Sequence, residues 1–338
     1  MTVAVALPNW VGDAVMATPT LRALRARFPD ERIVAVLRPY VRPVLEPNPW
    51  TDSYLEVDRT ATGLWDAARR LRAEKAEVGL LLPNSFRSAL LFFLAGVKRR
   101  VGYLRGGRNL MLTDGVPAPR EKRQFAPTPQ ITYYLGLAEL VGAPVGDRRM
   151  ELFATEADEA AAQAAFAAAG LDPARTVLLC PGAAFGRSKC WPVAHWAEFI
   201  RLARERLNFQ AAVLCAPAEA DLAEEIIEAT AGRCATLHDK GVTLASARAV
   251  VRQARAMVAV DSGLRHYAAA MDRPVVALFG PTDIRWTETW HTKEVRLQDV
   301  PDCGPCQRGV CPTGTGECME RIRPDEVLRA LEQALAHN

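Results

Sequence analysis

The chain has 338 residues, long for one hydrophobic core, and its 49% hydrophobic and 24% charged content is that of a globular protein, not a disordered or fibrous one. Its net charge is only +3, with basic residues in excess over residues 1–150 and acidic ones over 151–338, which argues against a nucleic-acid binder and points an anionic partner at the front half. The most apolar tract, SALLFFLAGV at 88–97, is far shorter than the ~20 residues of a spanning helix, and the opening MTVAVALPNW lacks a basic leader, so a cytoplasmic chain with at most peripheral membrane contact is expected.

Short Val-, Leu- and Ala-rich runs alternate with helical periodicities, the pattern of parallel α/β layers. Strands are predicted near 2–7, 32–37, 78–82 and 99–103, and helices near 14–28, 62–74, 85–95 and 129–141. The Pro-rich, basic segment 115–129 reads as a loop. Thr155 with Asp158 resembles a capping box opening an alanine-rich helix that Gly170 and Pro173 stop, and the domain boundary is placed there. Strands follow near 176–180, 210–215, 256–260 and 274–279. This gives an α/β chain of two Rossmann-like halves, 1–154 and 172–322, with a cleft between them.

Three strand ends carry chemistry. Asp13 sits where the first strand gives way to the first helix, and it is either a cap for that helix or a catalytic carboxylate. TVLLC runs into PGAAFGRSKCWP, where Gly182 and Gly186 permit a tight turn, the amides of 183–186 form an anion cradle and Lys189 supplies charge. The alternative is a plain turn between strand and helix. AMVAV ends in Asp261, Ser262 and Gly263 with His266 just beyond, and VVALF ends in GPTD; three small-residue loops on one sheet edge favour a nucleotide site over simple capping.

The stretches LPNWVGDAVMATPTLRALRARFP, LLPNSFRSALLFFLAGVKRRVGY, PGAAFGRSKCWP and VDSGLRHYAAAMDRPVVALFGPT resemble the ADP-heptose:lipopolysaccharide heptosyltransferases, and LPNSFRSAL with PGAAFG resembles the type II enzymes among them. The resemblance implies a GT-B fold whose last helix, in 324–338, crosses back onto the first domain. It implies inverting transfer from ADP-heptose to the lipopolysaccharide inner core, with Asp13 as general base and no cofactor required. Lys189, with Ala183, Ala184, Phe185, Gly186, Ser262 and Gly263, would then hold the diphosphate. Glu219 matches a family ribose-contacting carboxylate, while Asp261 and His266 match nucleotide-site positions. Gly12, Asn84, Ser85 and Arg87 would face the acceptor, and Arg38, Arg42, Arg105 and Arg108 would steer this anionic glycolipid.

Four cysteines crowd the tail: Cys303, Cys306, Cys311 and Cys318. Opened by CxxC in a Gly/Pro-rich loop, they suit a structural zinc or iron site, with free or redox-active thiols as the alternative. Many lipopolysaccharide enzymes of the resembling family lack such a knuckle, while some protein-modifying relatives carry a metal here. A protein or secondary-metabolite acceptor, and a regulatory module without turnover in which Asp13 only caps, are the rival readings.

Overall fold

Strands that must be covered on both faces read as unbroken apolar runs, and five of the chain's runs do so. In the computed structural model, which describes residues 1–121 and 124–337, β1 (Thr2–Ala6), β2 (Arg32–Leu37), β3 (Ser53–Glu56), β4 (Ala76–Leu81), β5 (Arg99–Tyr103) and β6 (Asp114–Val116) form one sheet in the order β3-β2-β1-β4-β5-β6. A hairpin, β7 (Arg120–Glu121) and β8 (Gln124–Phe125), follows. A second sheet has β9 (Thr176–Cys180), β10 (Gln210–Val213), β11 (Cys234–Thr236), β12 (Ala256–Val260), β13 (Val275–Phe279) and β14 (Glu294–Gln298) in the order β11-β10-β9-β12-β13-β14. Every pairing in both sheets is parallel, and strand order reverses beside β1 in one and beside β9 in the other. Such reversals open crevices at the carboxyl ends of the strands, where ligands bind in open α/β sheets.

The helices of the first sheet are α1 (Val11–Met16), α2 (Thr18–Arg27), α3 (Arg42–Leu45), α4 (Ala61–Ala73), α5 (Phe86–Leu94) and α6 (Gln130–Glu139). Those of the second are α7 (Glu156–Ala168), α8 (Val193–Leu207), α9 (Ala220–Ala229), α10 (Ala247–Gln253), α11 (Arg265–Ala270), α12 (Glu317–Glu320) and α13 (Pro324–Ala336). The chain divides into two compact units, Met1–Glu151 with Arg285–Thr289, and Leu152–Ile284 with Trp290–Asn338, of which Asn338 lies outside the described residues. Capping follows the sequence. Thr60 accepts from the Gly63 amide at 3.0 Å and Ser85 from the Ser88 amide at 3.1 Å. The expected capping box forms: Thr155 Oγ1 accepts from the Asp158 amide at 3.1 Å, and Asp158 Oδ2 from the Thr155 amide at 2.8 Å.

Four expectations change. The helix read over 14–28 is two helices, because Pro19 has no N–H and its ring excludes a bond to the Val15 carbonyl, which Thr18 Oγ1 takes instead at 2.8 Å. The short outer strands β3, β6, β11 and β14 were absent from the sequence reading; they are largely half-buried and carry no apolar run. The loop expected over 115–129 contains the end of β6 and the hairpin, while Lys122 and Arg123 within it lie outside the described residues. The last helix, expected on the first domain, packs in the second unit. Val327, Leu328, Leu331 and Ala334 join the core formed with Trp191, Trp196, Phe199 and Ile322, and Trp191 Nε1 donates to the Ile322 carbonyl at 2.9 Å. Among the described residues no helix is long and apolar enough to cross a membrane.

Candidate active site

At the carboxyl edge of the second sheet, β9 delivers the chain into the loop 181–192. Gly182 packs against the Glu219 carboxyl group, which a Cβ there would displace, standing 2.3 Å from its carboxyl carbon. Gly186 has φ of 145° and a Cβ on it would meet the Gly309 carbonyl oxygen at 2.2 Å, so only glycine fits. The turn after it places Lys189 under cover, 8% exposed. An ammonium so buried requires a counter-charge. Lys189 Nζ donates to Asp261 Oδ2 at 2.6 Å and to the Asp261 carbonyl at 2.8 Å, and lies 4.9 Å from the Phe185 ring centre.

The Asp261 carboxylate also accepts from Thr282 Oγ1 at 2.8 Å and stands 3.6 Å from Arg265 Nη2. Burial works against its charge, but Lys189, Arg265 and these hydrogen bonds outweigh burial and hold its pKa at about 2. Arg265, wholly buried, also pairs with Glu294 of β14. The Asp261 carboxylate is thus shared among Lys189, Thr282 and Arg265. Arg265 and Thr282 were missed in the sequence, although GPTD marked the loop that carries Thr282.

Two polar atoms beside this cluster, Ser262 Oγ and His266 Nδ1, are buried and have no hydrogen-bond partner among the described residues. His266 is 3% exposed, and burial first, then the neighbouring Arg265 charge, push its pKa well down, leaving the ring neutral. Glu219 sits at the end of the 3-10 turn after β10, accepts from the Ala216 amide at 3.0 Å, and is pushed up by burial. Ala184 and Phe185 are exposed and Ala183 is half-buried, but the Gly186 amide donates to the Ala183 carbonyl at 3.1 Å and is not open to an anion.

In the first unit, Trp10 is the N-cap of α1 and Asp13 lies in its first turn, where a carboxylate complements the helix dipole. Its carboxylate is half-buried, with Gly12 buried beside it. Burial and then the Asp13 charge hold the enclosed Tyr134 phenol well above its ordinary pKa, which puts Asp13 next to α6. Asn84 Oδ1 accepts from Arg108 Nη2 at 3.1 Å and Tyr133 OH at 3.2 Å, Ser85 caps α5, and Arg87 Nη2 donates to the Asp58 and Thr60 carbonyls at 2.9 and 2.5 Å.

The steering arginines divide. Arg108 is wholly buried with its guanidinium on the Pro83, Tyr103 and Leu81 carbonyls, so it braces the 81–84 turn and cannot meet a glycolipid. Arg42 is committed to Glu46 at 2.7 Å and Glu56 at 3.2 Å. Arg105 stacks 3.7 Å from the Phe125 ring centre, and Arg38 lines a pocket with Arg87.

The four tail cysteines line one small pocket, yet among the described residues no group of three or more His, Cys, Asp or Glu is placed to hold a metal ion. Cys311 instead has its thiol 3.3 Å from Thr313 Oγ1 and accepts from the Gly316 amide at 3.4 Å, contacts that bring it down to about 7. The metal expectation therefore does not fit this arrangement. What the segment does is brace the loop 181–192: Ser188 Oγ donates to the Arg308 carbonyl at 2.6 Å, and the Ser188 amide to that of Gly309 at 3.3 Å.

A family model described as glycosyltransferase family 9 (heptosyltransferase) matches residues 64–315. The chain belongs to glycosyltransferase family 9. It is 28% identical to lipopolysaccharide heptosyltransferase 2 of Salmonella typhimurium and 29% identical to that of Escherichia coli K12, covering 99% of each chain in both cases. The solved E. coli ADP-heptose lipopolysaccharide heptosyltransferase II superimposes with a TM-score of 0.80 at 26% identity, again over 99% of both chains. The family 9 chain is thus a glycosyltransferase with the two parallel Rossmann-like sheets of the GT-B class.

Proposed function

We propose that this family 9 enzyme transfers heptose from ADP-heptose to a hydroxyl of the lipopolysaccharide inner core with inversion at the anomeric carbon. Full-length similarity to type 2 heptosyltransferases supports the donor and acceptor. The observation that carries the site is the buried Lys189–Asp261 pair with Ser262 Oγ and His266 Nδ1 unpartnered beside it, since buried polar atoms without partners mark where a ligand completes the bonding.

An acceptor hydroxyl is too weak an acid to attack unaided. Asp13 takes its proton as the oxygen bonds to the anomeric carbon and the bond from that carbon to the ADP phosphate oxygen breaks. Negative charge then grows on the departing diphosphate. Asp261 holds Lys189 still, so that its remaining N–H meets this charge without reorganising, with Ser262 Oγ–H assisting. Glu219 and neutral His266 bind the nucleoside side, and the exposed Ala183–Phe185 turn encloses the donor.

Asp13→Asn tests the reading. General-base removal is expected to lower kcat by about 10²- to 10⁴-fold, while calorimetric ADP affinity stays within twofold. An unchanged kcat rules out Asp13 as the base.

A further inference from the structure

The outermost strand of the second sheet, β14, reaches the donor loops with two polar side chains. Glu294 and Gln298 stand four residues apart, so they share one face of the strand, beside Val275 and Phe279 of β13. Glu294 accepts from Arg265 Nη1; its side chain is 2% exposed and that of Arg265 is wholly buried. The Arg265 guanidinium lies 5.0 Å from the Phe279 ring centre, and its Nη2 stands 3.6 Å from Asp261 Oδ1. Gln298 Nε2 donates to the Thr282 carbonyl at 2.7 Å, and Thr282 Oγ1 donates to Asp261 Oδ2 at 2.8 Å. One strand therefore reaches both oxygens of the same carboxylate, each through one intervening residue.

Charges on outer strands usually face water, and an inward one discourages edge pairing. Any partner would serve that purpose, whereas here the partner is a cation facing the residue on which Lys189 depends. A carboxylate turns easily about the bond to its Cβ, because that torsion has broad minima. Held at Oδ2 alone, Asp261 would swing and the Lys189 ammonium would lose its fixed direction. Arg265 facing Oδ1 stops this turn. Glu294 in turn keeps Arg265 from closing onto Asp261 and drawing the carboxylate away from Lys189. Lys189, Asp261, Arg265 and Glu294 thus alternate in sign, and their four charges sum to zero in the interior.

We infer that β14 is the positioning element of the donor site: Glu294 through Arg265, and Gln298 through Thr282, fix the Asp261 carboxylate so that Lys189 is aimed at the oxygen where charge grows as ADP departs. Arg265, Glu294 and Gln298 act through Asp261 and need not touch the substrate. This rests on the reading of Lys189 as the group that meets the diphosphate.

Arg265→Met combined with Glu294→Leu removes the outer charge pair and leaves Lys189 and Asp261 balanced. Replacing a buried ion pair by apolar groups is often neutral or stabilising, so this double variant is expected to fold with near wild-type stability. Its kcat for heptose transfer is expected to fall about 100-fold. Its KM for ADP-heptose should change by less than about threefold, because Lys189 and Asp261 keep the charges that the ground-state diphosphate meets. Gln298→Leu, which alters no charge, should lower kcat in the same way by a smaller factor. In a Lys189→Ala background both changes are expected to have no further effect on kcat, since they act through the lysine, whereas general structural damage would lower it there as well. Unchanged kcat in either variant overturns the inference. So does a further loss in the Lys189→Ala background, or a rise in KM with kcat intact. Lys189→Ala alone tests the reading underneath: an unchanged kcat there removes both, while a large loss there with the double variant unaffected removes only the role of β14.

Discussion

A lysine and an aspartate can share a protein interior only if each finds its counter-charge, and removing one partner leaves the other buried and uncompensated. Asp261→Asn therefore removes more than one hydrogen bond: Lys189 and Arg265 lose the charge that both face. The variant is expected to lose about 3 kcal/mol of stability at pH 7, read from chemical denaturation, with a large rise in the KM for ADP-heptose. The pH dependence has a definite sign. Asp261 is depressed from 3.8 to about 2, so its contribution is complete above 3.8 and disappears as pH falls through about 2. The stability gap between wild type and variant should narrow over that interval on acid titration. A gap that does not change with pH contradicts a charged Asp261. At this scale Asp13, Lys189, Asp261 and His266 stood out in the sequence because each comes shortly after an apolar strand. Arg265 did not, because it reads as one turn of an ordinary helix, where arginine is usually solvated.

Elements depend on what is available to cover their apolar faces. The α13 sequence PDEVLRALEQALA shows its stripe plainly, but a stripe does not name its partner. In the structure α8 and the β13–β14 edge receive it, and Leu331 is wholly buried in that core. Leu331→Ala is expected to cost about 2–5 kcal/mol through lost burial and a cavity, with reduced protection of α8 and β13 amides in hydrogen exchange and none of β1 or β2. Loss of protection in the first unit's sheet instead would place the helix there. The outer strands show the same limit from the other side. EVRLQ and SYLE become strands because a neighbouring edge offers backbone partners, not because their side chains demand burial.

Over the whole molecule, the unequal charge of the two halves reads differently once the structure is known. Part of the basic excess of the first unit is taken up by the structure itself: Arg108 is buried on backbone carbonyls, and Arg42 pairs at the surface with Glu46 and Glu56. The second unit should respond to nucleotide by itself. ADP at a hundred times its Kd adds about 2.7 kcal/mol to the state that binds it, so scanning calorimetry is expected to show a higher melting temperature with ADP and a much smaller shift with UDP or GDP. Equal shifts with all three contradict an ADP-heptose donor.

The amino-acid sequence alone determined the two α/β halves, the inner strands, the capping box at Thr155 and the loops bearing the chemistry, because apolar period, caps and glycine turns act over a few residues. Only the tertiary structure decided that Asp261 pairs with Lys189, that Arg108 braces the 81–84 turn, that the Arg308 and Gly309 carbonyls hold Ser188, and that α13 stays with the second unit. These outcomes depend on which groups, distant in sequence, meet in space, and burial and charge pairing are properties of that meeting.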